Sequence, residues 1–428
     1  HGDYQDTRIK NTEAELATYS PELNEYVDRI LDEFGLIVCG WSAESDSALR
    51  SAILRCPSRR YTTYWAYRGE LTDEAKRLIR HRDAKTILIE SADAFFVELA
   101  QKLDALRSLS AAHPVSAEVA VATVKKLLAE DRFRIQLHDL LSEEVERVYT
   151  QISGPRFQVT SQGDVEALFQ DRMRNYEAVT ERLLNIIATL CWFDEGGHSE
   201  LVKRALERMS TFPLVGGNTV LIKLRLYPSL LLMYVAGLAS LGSGHVSHLP
   251  HILVEPRFRF PYDPQRVPIT GALNILNVFG TADRLIPRPS KREHTPANNH
   301  IFEFLRRSLK QYLPSGGEYE RVFDTFEFLF TLVYADQNPG SSWMPIGCFH
   351  WRSSSHEALR EFVQEAGRQG NEWAIIKSGL FDSDPTRFRS ALEHYDDFVC
   401  GVSWGFRDEW PPTDLRKIYD DAAQTRSK

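Results

Sequence analysis

Between Ser20 and Leu109 short apolar runs alternate with amphipathic helical patterns, and this alternation limits the fold more than any other feature of the chain. Leu36 to Cys39 is an unbroken apolar run closed by Gly40, which suits a strand buried on both faces of a parallel sheet. Before it, Ser20 as N-cap, Pro21 at the first helical position and Leu23, Val27, Ile30 and Phe34 on one face predict a helix that Gly35 ends. A second helix is expected over Ser47 to Arg55, then a β-rich run over Tyr61 to Tyr67, a helix capped by Thr72, and a third apolar run over Thr86 to Ile89. Ser91 opens the next helix, with Phe95, Leu99, Leu103 and Leu106 on its inner face.

Strand–helix units joined by short connections imply a parallel sheet wound by right-handed crossovers. Three such strands stand poorly alone, because an all-parallel sheet needs cover on both faces and at its edges. Residues 1–110 therefore read as half of a doubly wound α/β domain, with the partner half expected before His1. A chain that opens on histidine rather than methionine fits the expectation of a piece of a longer protein.

Beyond Leu109 the alternation stops. Ala117 to Glu130, Asp139 to Ile152, Asp164 to Phe193 and Glu200 to Met209 all show helical spacing. A Pro- and Arg-rich stretch from His245 to Thr295 interrupts them, helical spacing resumes over Ile301 to Leu313 and Glu318 to Tyr334, and the remainder looks mixed. The expected organisation is a partial doubly wound parallel sheet of about three strands followed by a mainly α-helical region. Its divisions are 1–110 for the α/β segment, 111–245 for a helical domain and 246–428 for a mainly helical or mixed one.

A formal net charge of -8 argues against a nucleic-acid-binding surface as the main business of the chain. The five cysteines are far apart with no C-x-x-C pair, so they form neither a four-cysteine zinc module nor a disulfide framework, and a reducing cytoplasm is the expected setting. Leu226 to Leu241 is the longest apolar stretch, too short for a spanning helix and interrupted by Pro228, so a buried helix is expected and no membrane partner.

The residues with most chemical promise lie at the expected strand ends. Ligands of open α/β sheets sit at the carboxyl ends of the strands. There Gly40 would let a phosphate or ribose approach the backbone, with Trp41 and Ser42 following it. Arg68 after the second strand could meet a phosphate, and Ala92 with Asp93 at the next helix start could border an adenine or ribose. A structural turn, a solvated arginine and an ordinary first-turn aspartate explain the same residues equally simply. His1, followed by Gly2-Asp3-Tyr4 and later by Asn11-Thr12, could take a proton from a sugar hydroxyl.

In this order, His1-Gly2-Asp3-Tyr4, Asn11-Thr12, the strand ending in Gly40-Trp41-Ser42, and Ser91-Ala92-Asp93 before a helix resemble the later half of the sirtuin family. The likeness covers about the first quarter of the chain and is closest to divergent bacterial sirtuin-like domains linked to anti-phage defence. The resemblance implies NAD as substrate, His1 as the base that activates a ribose hydroxyl, Gly40 and Ser42 at the adenosine ribose and phosphates, and Ala92 and Asp93 beside the adenine. Trp41 stands where the deacylating members carry a small polar residue. The zinc-ribbon cysteines of those members are absent, so no zinc is expected and hydrolysis of NAD is favoured over lysine deacylation. The glycine-rich NAD loop is absent too, and the chain alone is expected to be inactive. A non-catalytic nucleotide-binding or scaffold protein is the alternative, with the helical region taking a protein trigger or a second copy as partner.

Four other groups merit notice. His245, His248 and His251 recur every third residue, a pattern that could gather around a metal in a loop. Glu195-Gly196-Gly197-His198 reads as an interhelical turn capped by His198. Trp343, Phe349, His350 and Trp351 suit a small core or a binding surface. Arg257, Arg259, Arg266, Arg284, Arg288, Lys291 and Arg292 form either a solvated loop or an anion grip.

Overall fold

The computed structural model describes residues 19–110, 114–160, 163–213, 215–259, 266–287, 294–352, 354–401 and 414–426. The chain divides into two compact units, His1–Leu109 and Ser110–Lys428.

The first unit is the expected strand–helix alternation. Helix α1 (Pro21–Glu33) starts as its sequence demands, with the Ser20 hydroxyl accepting from the Leu23 N–H. It leads into β1 (Leu36–Cys39), α2 (Ser47–Arg55), β2 (Thr63–Tyr67), α3 (Asp73–Arg82), β3 (Lys85–Leu88) and α4 (Ala92–Ser110). The sheet runs β1-β2-β3, all parallel, with Cys39 opposite Ala66 and Ala66 opposite Ile87. Sequential order with parallel pairing requires each crossover to climb back over the sheet, and α2 and α3 do so.

The core of this unit lies on one side of the sheet. Val38 and Trp65 pack with Leu31 of α1, Ala52 and Ile53 of α2, and Ala75 and Leu78 of α3. Ile37 and Tyr64, paired on the opposite face, are 44% and 38% exposed. The apolar run Leu36–Cys39 reads as buried on both faces, yet among the described residues only one face carries a helical layer. Phe95 and Leu99 of α4 are half-buried, while Phe96 and Val97 are exposed; the side chains of Leu103 and Leu106 lie outside the described residues.

Arg82, 4% exposed, locks the amino-terminal side of this unit, paired among the described residues with no carboxylate. Its guanidinium donates to the carbonyls of Ser58 (2.6 Å) and Leu31 (3.2 Å), and to Thr63 Oγ1 (3.4 Å). Leu31 lies in the last turn of α1, where unpaired carbonyls and the helix dipole favour a cation.

The second unit is helical apart from a short antiparallel ribbon, Arg257–Arg259 with Arg266–Pro268, in the stretch that reads as irregular. Its principal helices are α5 (Pro114–Leu128), α6 (Arg134–Ile152), α7 (Val165–Phe193), α8 (Ser199–Met209) and, after the short α9 (Thr219–Leu224), α10 (Tyr227–Ser243). Then follow α11 (Leu249–Leu253), two four-residue turns α12 (Ile269–Ala272) and α13 (Ile275–Val278), α14 (Pro296–Leu309), α15 (Gly316–Gln337), α16 (Ser355–Gln369), the short α17 (Ala374–Lys377), α18 (Pro385–Gly401) and α19 (Leu415–Arg426). The last part, which reads as mixed, is therefore helical where it is described. One contiguous core runs from Ala120 to Tyr419.

Thr219–Ser243 is long and apolar enough to cross a membrane by length and composition, and 72% of its most apolar window is buried in the protein. Every residue of α10 from Tyr227 to Ser240 is buried. A helix that is apolar on all sides needs cover on all sides, and here neighbouring helices supply it. Gly237 permits the closest approach: a Cβ at this position would lie 2.0 Å from the Phe326 ring of α15.

Candidate functional site

The carboxyl edge of the parallel sheet brings together most of the residues singled out from the sequence. The register sets Gly40 level with Tyr67 and Leu88, so the loops that carry Gly40-Trp41-Ser42, Arg68 and Ser91-Ala92-Asp93 all leave the same edge. Gly40 adopts a φ of 73°, and Ala43 (63°) and Asp46 (62°) follow it into the left-handed region. Two non-glycine residues in that region within one short loop are a concentration of backbone strain, which persists only where surrounding bonds hold it. Those bonds are present. Asp46 accepts from the Leu49 N–H at 3.0 Å and caps α2, Arg50 Nη1 donates to the carbonyls of Ala43 (2.6 Å) and Glu44 (2.7 Å), and the Thr72 hydroxyl donates to the Ser42 carbonyl.

The side chains differ in what they leave available. Trp41 stacks on Trp65, ring centres 5.8 Å apart, and so belongs to the core of the unit. The Ser42 hydroxyl is exposed and accepts a long bond from the Glu44 N–H (3.4 Å). Arg68, Ala92 and Asp93 are exposed. Ser91, half-buried, caps α4 by accepting from the Ala94 N–H at 3.1 Å. The N-termini of α2, α3 and α4 thus open at this edge, each with a side-chain cap. His1, Asn11 and Thr12 lie outside the described residues.

A second constellation, which sequence reasoning missed, lies inside the helical unit. Asp324 and Glu327, one turn apart on α15, are each 1% exposed. Arg352 Nη1 donates to Asp324 Oδ1 at 2.7 Å and the Ser355 hydroxyl donates to the other oxygen. Its guanidinium also sits 4.2 Å over the Phe302 ring. Glu327 receives the Cys348 backbone N–H (2.6 Å), Asn298 Nδ2 (2.6 Å) and the Tyr234 hydroxyl (3.2 Å). Burial pushes Glu327 up to about 7 and Asp324 up to about 6, because desolvation outweighs the opposing help of Arg352. The Cys348 thiol is driven well up by burial and stays protonated, a poor nucleophile. A signal did exist in the sequence: two acids inside the mostly apolar run Phe323 to Val333 must meet a cation or a proton once buried.

A third group has the connectivity of a nucleophilic triad but not its access. Ser199 Oγ lies 2.8 Å from His248 Nδ1, and His248 Nε2 lies 2.7 Å from the Asp194 carbonyl and 3.4 Å from Asp194 Oδ2. Nε2 is bound to the carbonyl as a donor, so Nδ1 of the neutral ring is an acceptor and shares the single Ser199 hydroxyl proton with the Gly196 carbonyl, 3.0 Å from Oγ; burial lowers the His248 pKa and favours the neutral ring. Ser199 and His248 are 2% and 0% exposed, so the group fastens the turn before α8 to the segment before α11. His198 occupies the N-cap position of α8, but its ring pairs with Asp194 Oδ1 at 2.8 Å, while Asp194 Oδ2 accepts from the N–H groups of Gly196 and His198.

The three spaced histidines do not share an ion site. His248 is committed to Ser199 and Asp194, whereas His251 faces Glu255 at 3.5 Å. Among the described residues one group of potential ligands, Glu200, His251 and Glu255, has its atoms within 4.8 Å of one another. Lys203 Nζ stands 3.2 Å from both of those carboxylates and already supplies a cation there.

Of the aromatic group, Phe349 and His350 are buried and Phe349 meets Phe328 edge-on at 5.6 Å. Trp343 and Trp351 are half-buried, Trp351 stacking on His294 at 4.0 Å. Arg257 and Arg259 flank the buried Phe258 on the ribbon, and Arg266 pairs across it; Arg288, Lys291 and Arg292 lie outside the described residues.

No family model, curated protein or solved structure matches the chain.

Proposed function

We propose that the α/β unit binds the adenosine-phosphate half of NAD at the carboxyl edge of its sheet, as part of an NAD-consuming sirtuin-like protein. The single observation in support is the strained Gly40–Asp46 loop, held in place by Arg50 and Thr72 at a parallel-sheet edge that also carries Ser42, Arg68 and Asp93. Gly40 has open space where a side chain would stand, which leaves its backbone open to a phosphate or ribose. Arg68 is the edge's exposed cation, and Asp93 in the first turn of α4 suits an adenine amine or ribose hydroxyl.

In this reading water attacks the anomeric carbon of the nicotinamide riboside as its C–N glycosidic bond breaks, giving ADP-ribose, nicotinamide and a proton, with His1 as the base on the ribose hydroxyl. The absent cysteine ligands favour hydrolysis over deacylation. The setting is bacterial defence in the cytoplasm, and the helical unit receives the trigger or mediates assembly. The 428-residue chain, which contains no glycine-rich NAD loop, binds without turnover.

Titration calorimetry with ADP-ribose tests the binding step. Saturable binding that weakens at least fivefold in the exposed-residue variants Arg68→Ala and Asp93→Ala is the expected outcome. Absence of binding at millimolar ADP-ribose, or binding indifferent to both substitutions, overturns the assignment.

A further inference from the structure

A cavity of about 620 Å³ opens between α7 and α14, within the helical unit and apart from every residue discussed above. That size lies within the range of small-molecule sites. Two helical faces build it: Arg174, Glu177 and Glu181 recur at one-turn spacing on α7, and His300, Phe304 and Arg307 do so on α14. Lys310, just past the end of α14, extends the second face.

The floor of the cavity is organised by Glu177. This carboxylate, 14% exposed, accepts from the buried Tyr227 hydroxyl at 2.7 Å and from His300 Nε2 at 2.5 Å. Both donors bind one oxygen, so the imidazole is oriented and its Nδ1 is the nitrogen left for other partners. Tyr227 holds its proton, since burial and the adjacent carboxylate raise its pKa well above the ordinary phenol value. An oriented imidazole backed by a carboxylate and a buried phenol is a costly arrangement for a surface that meets only water.

The rim supplies positive charge. Arg306, Arg307 and Lys310 are exposed and, among the described residues, form no ion pair within 4.0 Å. Arg174 adds a further exposed guanidinium, 3.8 Å from Asp171. Of the facing acids, Glu177 is already satisfied by two donors, Glu181 lies in the field of Arg307 although burial makes it harder to ionise, and Glu303 is exposed in the wall, so four cations face three carboxylates. Phe304, half-buried in the wall, offers an apolar surface for a ring.

We infer that this cavity is a binding site for a phosphate-bearing small molecule of nucleotide size, with Arg307 and Lys310 as its anion contacts, Phe304 against its organic part and His300 Nδ1 accepting from a hydroxyl or amine of that part. Guanidinium and ammonium groups that make no close ion pair around a concave site keep the donors that phosphate oxygens require.

Calorimetry on the full 428-residue chain at fixed ionic strength tests this with pyrophosphate and ATP as probes. The expected result is saturable binding of both probes, at least tenfold weaker in the double variant Arg307→Ala/Lys310→Ala, with His300→Gln weakening ATP at least threefold. ATP should bind more tightly than pyrophosphate, and Phe304→Ala should erase that difference. Both rim residues are exposed, so the double variant should keep the wild-type circular dichroism and melting temperature. In an Arg68→Ala/Asp93→Ala background, which disables the sheet edge of the other unit, binding of both probes should persist and still weaken at least tenfold on adding Arg307→Ala/Lys310→Ala, so failure of the two assignments can be told apart. No saturable binding at 10 mM pyrophosphate (about ten times a weak, roughly 1 mM, affinity), or binding that the double variant leaves unaltered, overturns the inference.

Discussion

Replacing Glu327 by glutamine should stabilise the helical unit at alkaline pH and leave it little changed at acid pH. A carboxyl whose folded pKa is raised holds its proton more tightly in the folded chain than in the unfolded one. Ionisation therefore costs stability as pH rises from the unfolded value, near 4.5, through the folded value of about 7, and the cost is constant above that. At about 1.36 kcal/mol per pKa unit, a rise of about two and a half units amounts to roughly 3 kcal/mol at pH 8. Glutamine removes the ionisation while keeping the shape. Its amide oxygen can accept from the Cys348 N–H where Oε2 does now, and its NH₂ can donate to the Tyr234 oxygen once that hydroxyl turns, with Asn298 presenting its carbonyl instead.

Urea unfolding followed by far-ultraviolet circular dichroism between pH 4.5 and 8 measures this. The wild-type midpoint should fall as pH rises over that range, the variant's should fall less, and the two should converge at the acid end. Some slope will remain, because Asp324 and Asp396 are each raised to about 6 by burial. A Glu327→Gln midpoint at pH 8 equal to or below that of the wild type would refute the reasoning.

Three further outcomes follow from packing and buried polar groups. Arg82→Met should destabilise the α/β unit by about 3 kcal/mol, since the carbonyls of Leu31 and Ser58 lose their donor; a chemical-denaturation midpoint for that unit matching the wild type would contradict it. Gly237→Ala should cost about 1–3 kcal/mol through the Phe326 clash, and Phe326→Leu in the same chain should recover part of it in thermal melts. Ser199→Ala should lower stability by about 1–3 kcal/mol by removing the hydroxyl that the buried His248 Nδ1 and the Gly196 carbonyl share, while a fluorophosphonate probe should fail to label wild-type Ser199, as its burial requires.

Much of the first unit is legible in the sequence because its signals are local. Ser20, Thr72 and Ser91 each accept the N–H that their positions before a helical pattern imply, and the apolar runs at Leu36 and Thr86 become strands within a residue of where periodicity puts them. The Arg257–Arg259 and Arg266–Pro268 ribbon escapes such a reading because three-residue strands are too short to display a period.

Local patterns account for the alternation in residues 20–110, the helical spacing after it, and the placement of Gly40, Ser42, Arg68 and Asp93 after strands or at a helix start. Only tertiary structure decided which polar groups meet. The pairing of Glu177 with His300, of Glu327 with Asn298 and Cys348, and of Ser199 with His248 joins residues distant along the chain. Periodicity reports which face of an element is turned inward, but burial shifts a proton or orients an imidazole only through the neighbours that packing brings to it.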